Sequence, residues 1–279
     1  MAEAPFTIVV ATFYSEGVIG PCLTSIPDQY PVVVVDNGST DGTVTEARTA
    51  RPGATIIELG RNLGFGSACN QGIAASTTPL VLLQNPDAQM PPETYEALVR
   101  AMEATPGAAL IGADRKGSGE VSGRLMDTDY VSGSAMLIRR AAFEPGPVFD
   151  ENIFLYAEDR ELCERALKTG WRVANVAGAA VHHARRDSSP SIDVPQALRE
   201  RLQGQGQAYR MQKWHPRTWR LRAWAKVIEL TVSAYASPKA RARRLGVAAG
   251  VRSYLAHGKP VLWDNPLSRG ELKPKETTS

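Results

Sequence analysis

The sequence predicts an α/β fold, with a mostly parallel sheet over residues 6–113 and a helical C-terminal segment from about Pro195. Three observations predict it. Five short runs of Val, Ile, Leu and Ala lack polar alternation, as strands buried on both faces do. The stretches between them have helical spacing and plausible caps. Strand and helix alternate about four times, the pattern of right-handed parallel crossovers.

FTIVVA (6–11), PVVVVD (31–36), ATIIEL (54–59), PLVLLQ (79–84) and AALIGA (108–113) are the expected strands. Asp41 precedes a helix over about 42–50, and Gly66 opens one to about Ala75. Pro91-Pro92-Glu93 start another that reaches about Ala104. The rhythm then changes. DRKGSGEVSGR (114–124) reads as a hairpin or loop, and VSGSAMLIRR (131–140) as a strand. A helix over about 157–169 is stopped by Gly170, and a strand starts at Trp171. VHHARRDSSPS is a polar loop, and the closing KPKETTS reads as disordered.

With 279 residues, 43% of them apolar, the chain can bury a large core. Cys22, Cys69 and Cys163 are odd in number and set among apolar residues. They read as reduced packing residues of a cytoplasmic protein, not as a disulfide framework. The N-terminal residues lack the pattern of an export signal, and no apolar run approaches the ~20 residues that span a bilayer. Net charge is only +3, but between Tyr209 and Trp263 Glu229 is the sole acid within a dense run of Lys and Arg. That region should attract anions.

In a parallel sheet, ligands sit beyond the carboxyl ends of the strands. Asp36 ends the second strand and Asp87 follows the fourth, so both belong to that rim. Asn85-Pro86-Asp87 is also ordinary turn chemistry. Asp36, in DNGSTDGT, can accept hydrogen bonds from a base or ribose, or can simply shape a turn. In RNLGFGSACNQG, Arg61 and the free N–H groups of a helix start can meet a diphosphate, or the glycines merely ease the bend. Glu158 and Asp159 begin a helix, where acids favour the dipole; one of them can equally serve as a general base. His182 and His183 are either structural or ligands. The sequence contains no GxGxxG after the first strand, no GxxxxGK[ST] and no GxSxG, which disfavours dinucleotide, P-loop and hydrolase readings.

Taken in order, these segments resemble the nucleotide-sugar-dependent glycosyltransferases of family 2, in particular bacterial rhamnosyltransferase-like members. The motifs are TIVVATFYSEGVI, VVVDNGSTDGT, RNLGFGSACNQGI, LLQNPDA, SGSAMLIRR, FLYAEDRELCERALKTGWRV and VHHARRDSS, spanning roughly residues 6–190. The resemblance implies a GT-A fold, Rossmann-like, whose mostly parallel sheet carries an antiparallel extension, and an inverting single displacement. It makes residues 1–192 the catalytic domain, with donor binding over about 1–113 and the acceptor and catalytic part over about 114–192. Basic helices at 193–270 and a tail at 271–279 complete the chain. Thr12, Glu16 and Asp36 would hold the nucleoside, and Arg61, Gly64, Asn70 and Asn85 would lie at the donor. Asp87 and His182 would bind a divalent cation, Mg2+ or Mn2+, on the diphosphate. Asp159 would be the catalytic base, supported by Glu158. Tyr14 stands where the family commonly has Asn. Asn85 stands where a stricter DxD motif has its first acid.

The implied partners are a nucleoside-diphosphate sugar, dTDP- or UDP-linked, and a glycan, lipid-linked or small-molecule acceptor. Competing classes are a non-catalytic nucleotide-sugar-binding protein and a nucleotidyltransferase; a Gly-rich basic loop after the first strand would mark the latter, and none is present. Leu221, Trp224, Ala225, Ile228, Val232 and Tyr235 fall near one helical stripe beside basic residues. That helix either packs on the catalytic domain or lies peripherally on an anionic membrane. Nucleic-acid binding is not expected, since no recognition motif accompanies the charge.

Overall fold

A computed structural model describes residues 4–113, 121–183 and 194–258. The first half alternates as the sequence predicts, with α1 as an additional helix: β1 (Phe6–Thr12), α1 (Ile19–Ser25), β2 (Val32–Asp36), α2 (Thr43–Ala50), β3 (Thr55–Glu58), α3 (Phe65–Ala75), β4 (Leu80–Gln84). Then follow β5 (Ala88–Gln89), α4 (Pro92–Glu103), β6 (Ala108–Ala113), β7 (Leu125–Asp127) and β8 (Ala135–Arg139). The chain continues through α5 (Glu158–Lys168), β9 (Arg172–Val176) and β10 (His182–His183). It ends in α6 (Gln196–Trp214), α7 (Trp219–Ala236) and α8 (Arg241–His257). The loop reading of 114–124 falls mostly outside the described residues, as do much of the polar loop at 181–191 and the tail.

Eight strands form one sheet in the order β3-β2-β1-β4-β8-β6-β9-β7. The β3-β2-β1-β4 half is parallel throughout. Strand β8 enters antiparallel between β4 and β6, and β7 is antiparallel at the edge beside β9. The sheet is thus mostly parallel with an antiparallel extension. Its central strands are buried along their whole length, which is why they lack polar alternation. Two apolar layers cover it. One holds Ile8, Val10, Leu82, Tyr95 and Leu98 against α1 and α4; the other holds Val9, Val35, Leu83, Phe149 and Leu162 against α3 and α5. Cys22, Cys69 and Cys163 are all buried free thiols, as expected.

Helices α6, α7 and α8 pack on one another through Ala208, Trp219, Ala223, Val227, Val251 and Tyr254. Helix α6 also grips the body of the fold. Lys213 Nζ donates to Asp150 and Glu161, Arg210 to Glu164, and the Tyr209 hydroxyl to Asp150. Burial works against an ionised Asp150, but these donors and the Asn152 N–H outweigh it and hold the carboxyl below its usual range. The packing reading of the apolar stripe on α7 needs correction. Ala223, Val227 and Ala234 face the bundle, whereas Leu221, Trp224, Ile228, Val232 and Tyr235 are exposed. Among the described residues no helix is long and apolar enough to cross a membrane.

Candidate active site

The carboxyl ends of β1, β2 and β4 stand side by side, with Thr12 and Asp36 in register across the first pair. Asp36 is 3% exposed, and its Oδ2 accepts from the N–H groups of Gly38 (3.2 Å) and Ser39 (3.0 Å). Its Oδ1 is buried with no hydrogen-bond partner among the described residues. Burial pushes the carboxyl above its ordinary range even though the turn N–H groups and Ser39 pull the other way. A buried acceptor left open at a strand end is expensive to keep unless something else supplies its donor.

The acidic turn is clasped to the loop before α3 by two asparagines. Asn37 Nδ2 donates to Asn62 Oδ1 at 2.9 Å, while its Oδ1 accepts from the Leu63 N–H at 2.8 Å. Asn62 Oδ1 also accepts from the Gly64 N–H at 2.9 Å. Gly64 has φ +85°, and a Cβ there would fall on the Phe154 carbonyl, so the position requires glycine. Tyr14 has φ +50°, in the left-handed region that Asn tolerates best. Here its N–H donates to Ser39 Oγ and its hydroxyl pairs with Thr40, each at 2.8 Å, which hold the tyrosine in that conformation.

A cavity of about 340 Å³ opens on this rim. Its wall includes Thr12, Asn37, Asn62, Gly64, Asn85, Ser132, Ser134, Tyr156, Glu158 and Asp159. The structure therefore brings five expected residues, Thr12, Gly64, Asn85, Glu158 and Asp159, around one space. Thr12 Oγ1 is buried without a partner among the described residues.

The acid pair opens α5. Tyr156 (φ +62°) and Ala157 (φ +104°) precede it, both left-handed and neither glycine. Such strain persists only where the surroundings fix it. Gly206 of α6 lies so close to the Tyr156 carbonyl that any side chain there would collide, so α6 presses directly on this turn. Glu158 is 7% exposed, and one of its oxygens has no partner among the described residues. Burial, with Asp159 beside it, pushes its carboxyl up to about 8. Asp159 is half-buried. Its Oδ2 accepts from the Tyr130 hydroxyl and its Oδ1 from the Arg160 N–H at 2.8 Å. Arg160 lies over the Tyr130 ring at 5.0 Å and pairs with Asp129.

The other expected residues lie outside the cavity wall. Glu16 accepts from the Gly42 N–H at 3.1 Å, at the start of α2. Arg61 is exposed. The Asn70 amide is engaged with the 149–151 loop, donating to the Phe149 carbonyl and Glu151 and accepting from the Phe149 N–H. Asp87 is 3% exposed, immediately before β5. Strand β10 pairs antiparallel with β5, placing His182 opposite Gln89 and His183 opposite Ala88. The histidine segment and the Asn-Pro-Asp turn, 95 residues apart in sequence between Asp87 and His182, thus run along the same two-stranded ladder. Among the described residues, no group of three or more His, Cys, Asp or Glu could hold a metal unaided.

Sequence reasoning missed Tyr130, which bonds Asp159, Arg199 of α6, which lines the cavity, and the asparagine clasp. Asn37 and Asn62 lie inside the quoted motifs, masked by charged neighbours. Tyr130 and Arg199 reach the site only through tertiary packing, and their local sequence carries no signal.

The family model for glycosyl transferase family 2 matches residues 7–159, from the first strand to the acid pair. The chain is 31% identical over 238 aligned residues to the N-acetylglucosaminyl-diphospho-decaprenol L-rhamnosyltransferase of Mycobacterium tuberculosis, across 65% of this chain and 76% of that protein. Its fold is similar to that of the mannosyltransferase PcManGT of Pyrobaculum calidifontis, solved in complex with GDP-Man and Mn2+. The identity is 17%, the TM-score 0.60, and the match covers 96% of this chain and 79% of that one. It is also similar to glucosyl-3-phosphoglycerate synthase of M. tuberculosis, solved in complex with Mg2+ and uridine diphosphate. There the identity is 19%, the TM-score 0.56, and the coverage 75% and 80%. The family match spans more than half of the chain and takes in every cavity residue named above except Arg199. The chain belongs to glycosyl transferase family 2 and is a glycosyltransferase of the GT-A fold, similar to a bacterial rhamnosyltransferase.

Proposed function

We propose that the enzyme transfers a hexose, with rhamnose the first candidate, from a nucleoside diphosphate to an acceptor hydroxyl by an inverting single displacement. One observation carries this reading: the Glu158–Asp159 pair shares a cavity with the strand-end residues Thr12, Gly64 and Asn85. That arrangement gives a donor and an acceptor one common space. Asp36 offers its open carboxylate oxygen to the nucleoside, and the cavity-lining asparagines position the donor.

Asp159 serves as the base. It takes the proton of the acceptor hydroxyl as the oxygen attacks the anomeric carbon, and the bond to the diphosphate breaks with its electron pair on the leaving group. Tyr130 and the Arg160 N–H fix the carboxylate's orientation. Glu158, protonated by its burial, adds no second negative charge beside the base. The acceptor we infer is a lipid-linked sugar, supported by the decaprenol-linked acceptor in the relative's name.

Asp87 and His182 fit a hard cation that draws its remaining oxygens from the diphosphate and water, because Mg2+ sites typically hold only one or two carboxylates. A cation bound there would offset the charge of the departing diphosphate. The enzyme reading also explains the strained turn at Tyr156–Ala157 better than a purely binding protein does, since the strain aims an acid pair rather than a recognition loop. A thermal-shift screen of dTDP, UDP and GDP, each with Mg2+, Mn2+ or neither, tests the donor site. Stabilisation by at least one nucleotide with metal is expected; none by any combination contradicts the reading.

A further inference from the structure

Helix α7 shows two opposite apolar faces, and only one of them is used. At 100° per residue, Leu221, Trp224, Ile228, Val232 and Tyr235 fall within a sector of roughly 80° that runs ~21 Å along the helix. They are 74%, 52%, 61%, 65% and 69% exposed. Trp219, Ala223, Val227 and Ala234 form the other face, buried against α6 and α8. Five large apolar side chains aligned along one solvent-facing stripe are costly, because isolated exposed hydrophobes are ordinary and contiguous ones are not.

The chemistry around the stripe states what covers it. Arg217, Arg220, Lys239, Arg241 and Arg243 are exposed along α7 and the start of α8. Arg220 lies over the Trp219 ring and Arg241 over that of Tyr235, each at 4.9 Å, so cations flank the stripe at both ends. The single acid, Glu229, is engaged with Lys226 at 2.8 Å. A basic helix with an apolar face bearing Trp and Tyr suits the boundary between headgroups and acyl chains. Helix α7 is too short and too charged to cross a bilayer, so it would lie on the surface.

We propose that the outer face of α7 docks the enzyme onto an anionic lipid surface, with Trp224, Ile228 and Val232 inserted among the acyl chains and the flanking arginines on the headgroups. The clamp of α6 onto α5 and the 150s loop holds the docked bundle rigidly against the strained turn that carries Glu158 and Asp159. Docking needs neither donor nor acceptor, so it stands or falls apart from the transfer reaction.

The test is co-sedimentation of the full chain, without nucleotide, with vesicles of phosphatidylglycerol and phosphatidylcholine or of phosphatidylcholine alone. Binding to the anionic vesicles at low salt, falling as salt is raised, is expected. Each basic residue at an anionic surface contributes about 5-fold, so a combined Arg217→Gln, Arg220→Gln, Arg241→Gln variant loses on the order of 100-fold. A Trp224→Ser, Ile228→Ser, Val232→Ser variant loses at least about as much, because its insertion area is gone. All three side chains are exposed, and an unchanged melting temperature confirms that the fold is intact. No binding at low salt, equal binding to neutral vesicles, or full binding by the serine variant overturns the proposal. A native dimer that the serine variant converts to a monomer also overturns it, since the stripe then joins two copies.

Discussion

The Tyr130 hydroxyl donates a hydrogen bond to Oδ2 of Asp159, which lines the rim cavity. Burial, followed by the charge of Asp159, pushes the Tyr130 phenol above its ordinary value, so it stays a donor at any working pH. The bond holds one carboxylate oxygen of Asp159, while the Arg160 N–H holds the other. A hydrogen bond to a charged group contributes about 1.5–3 kcal/mol, so Tyr130→Phe should lower kcat on the order of 10- to 100-fold. The donor KM should hardly move, because the phenol's hydrogen bond goes to Asp159 and not to Thr12, Gly64 or Asn85. A changed KM with unchanged kcat would make Tyr130 a packing residue.

Glu158 carries its proton in the fold up to about pH 8, against an ordinary value of 4.5. The folded chain therefore binds more protons than the unfolded chain between those limits. The stability that this proton supports is complete below about 4.5 and is lost as pH rises through about 8. Glu158→Gln, which cannot ionise, should melt at nearly constant temperature across that window, while the native chain's melting temperature falls. Parallel curves would show that the carboxyl is not protonated in the fold.

Asp87 and His182 lie on segments paired by the β5–β10 ladder. Asp87→Ala should weaken Mn2+-dependent binding of a nucleoside diphosphate by at least about tenfold. The double substitution with His182→Ala should abolish metal-dependent transfer. Isothermal titration with Mn2+ in the presence and absence of UDP or dTDP reads this directly. Undiminished metal-dependent binding by the double variant would remove both residues from the donor site.

Glu161 is fully buried, and Lys213 and Arg165 neutralise it. Lys213→Met should destabilise the fold by about 2–3 kcal/mol, less than a wholly unpaired buried charge because Arg165 remains. Since Lys213 also holds Asp150, the variant should loosen α6 against α5, leaving the Arg210–Glu164 and Tyr209–Asp150 ties, and expose the strained turn to faster hydrogen exchange. Denaturant unfolding and exchange at residues 156–162 measure the two effects.

Much of this was legible in the sequence, for physical reasons. Strands β1, β2, β4 and β6 are buried on both faces, so composition alone marks them. The acidic turn and the Glu158–Asp159 pair stand out as residue types, each also open to an ordinary turn or helix-start reading, and Gly64 is marked only by the family resemblance. Helix α1 escaped notice: it is short, contains Pro21, and shows no acid in its first turn. Strands β5 and β10 are two residues each, far below the length at which periodicity speaks. The stripe on α7 could be read as amphipathic, but not which way it faced. Trp219, Ala223, Val227 and Ala234 pack inward against α6 and α8, and only the tertiary packing shows that Leu221, Trp224, Ile228, Val232 and Tyr235 face outward.

The central claim is that Asp159 takes the proton from the acceptor hydroxyl. The most direct measurement is the transfer rate of Asp159→Asn, using the nucleotide sugar whose diphosphate stabilises the native chain in the thermal-shift screen. The substitution keeps size and hydrogen-bonding capacity and removes the base. The account predicts unchanged stabilisation by that nucleotide and a fall in transfer of about 10²- to 10⁴-fold. Transfer at the native rate by a correctly folded Asp159→Asn enzyme would contradict it.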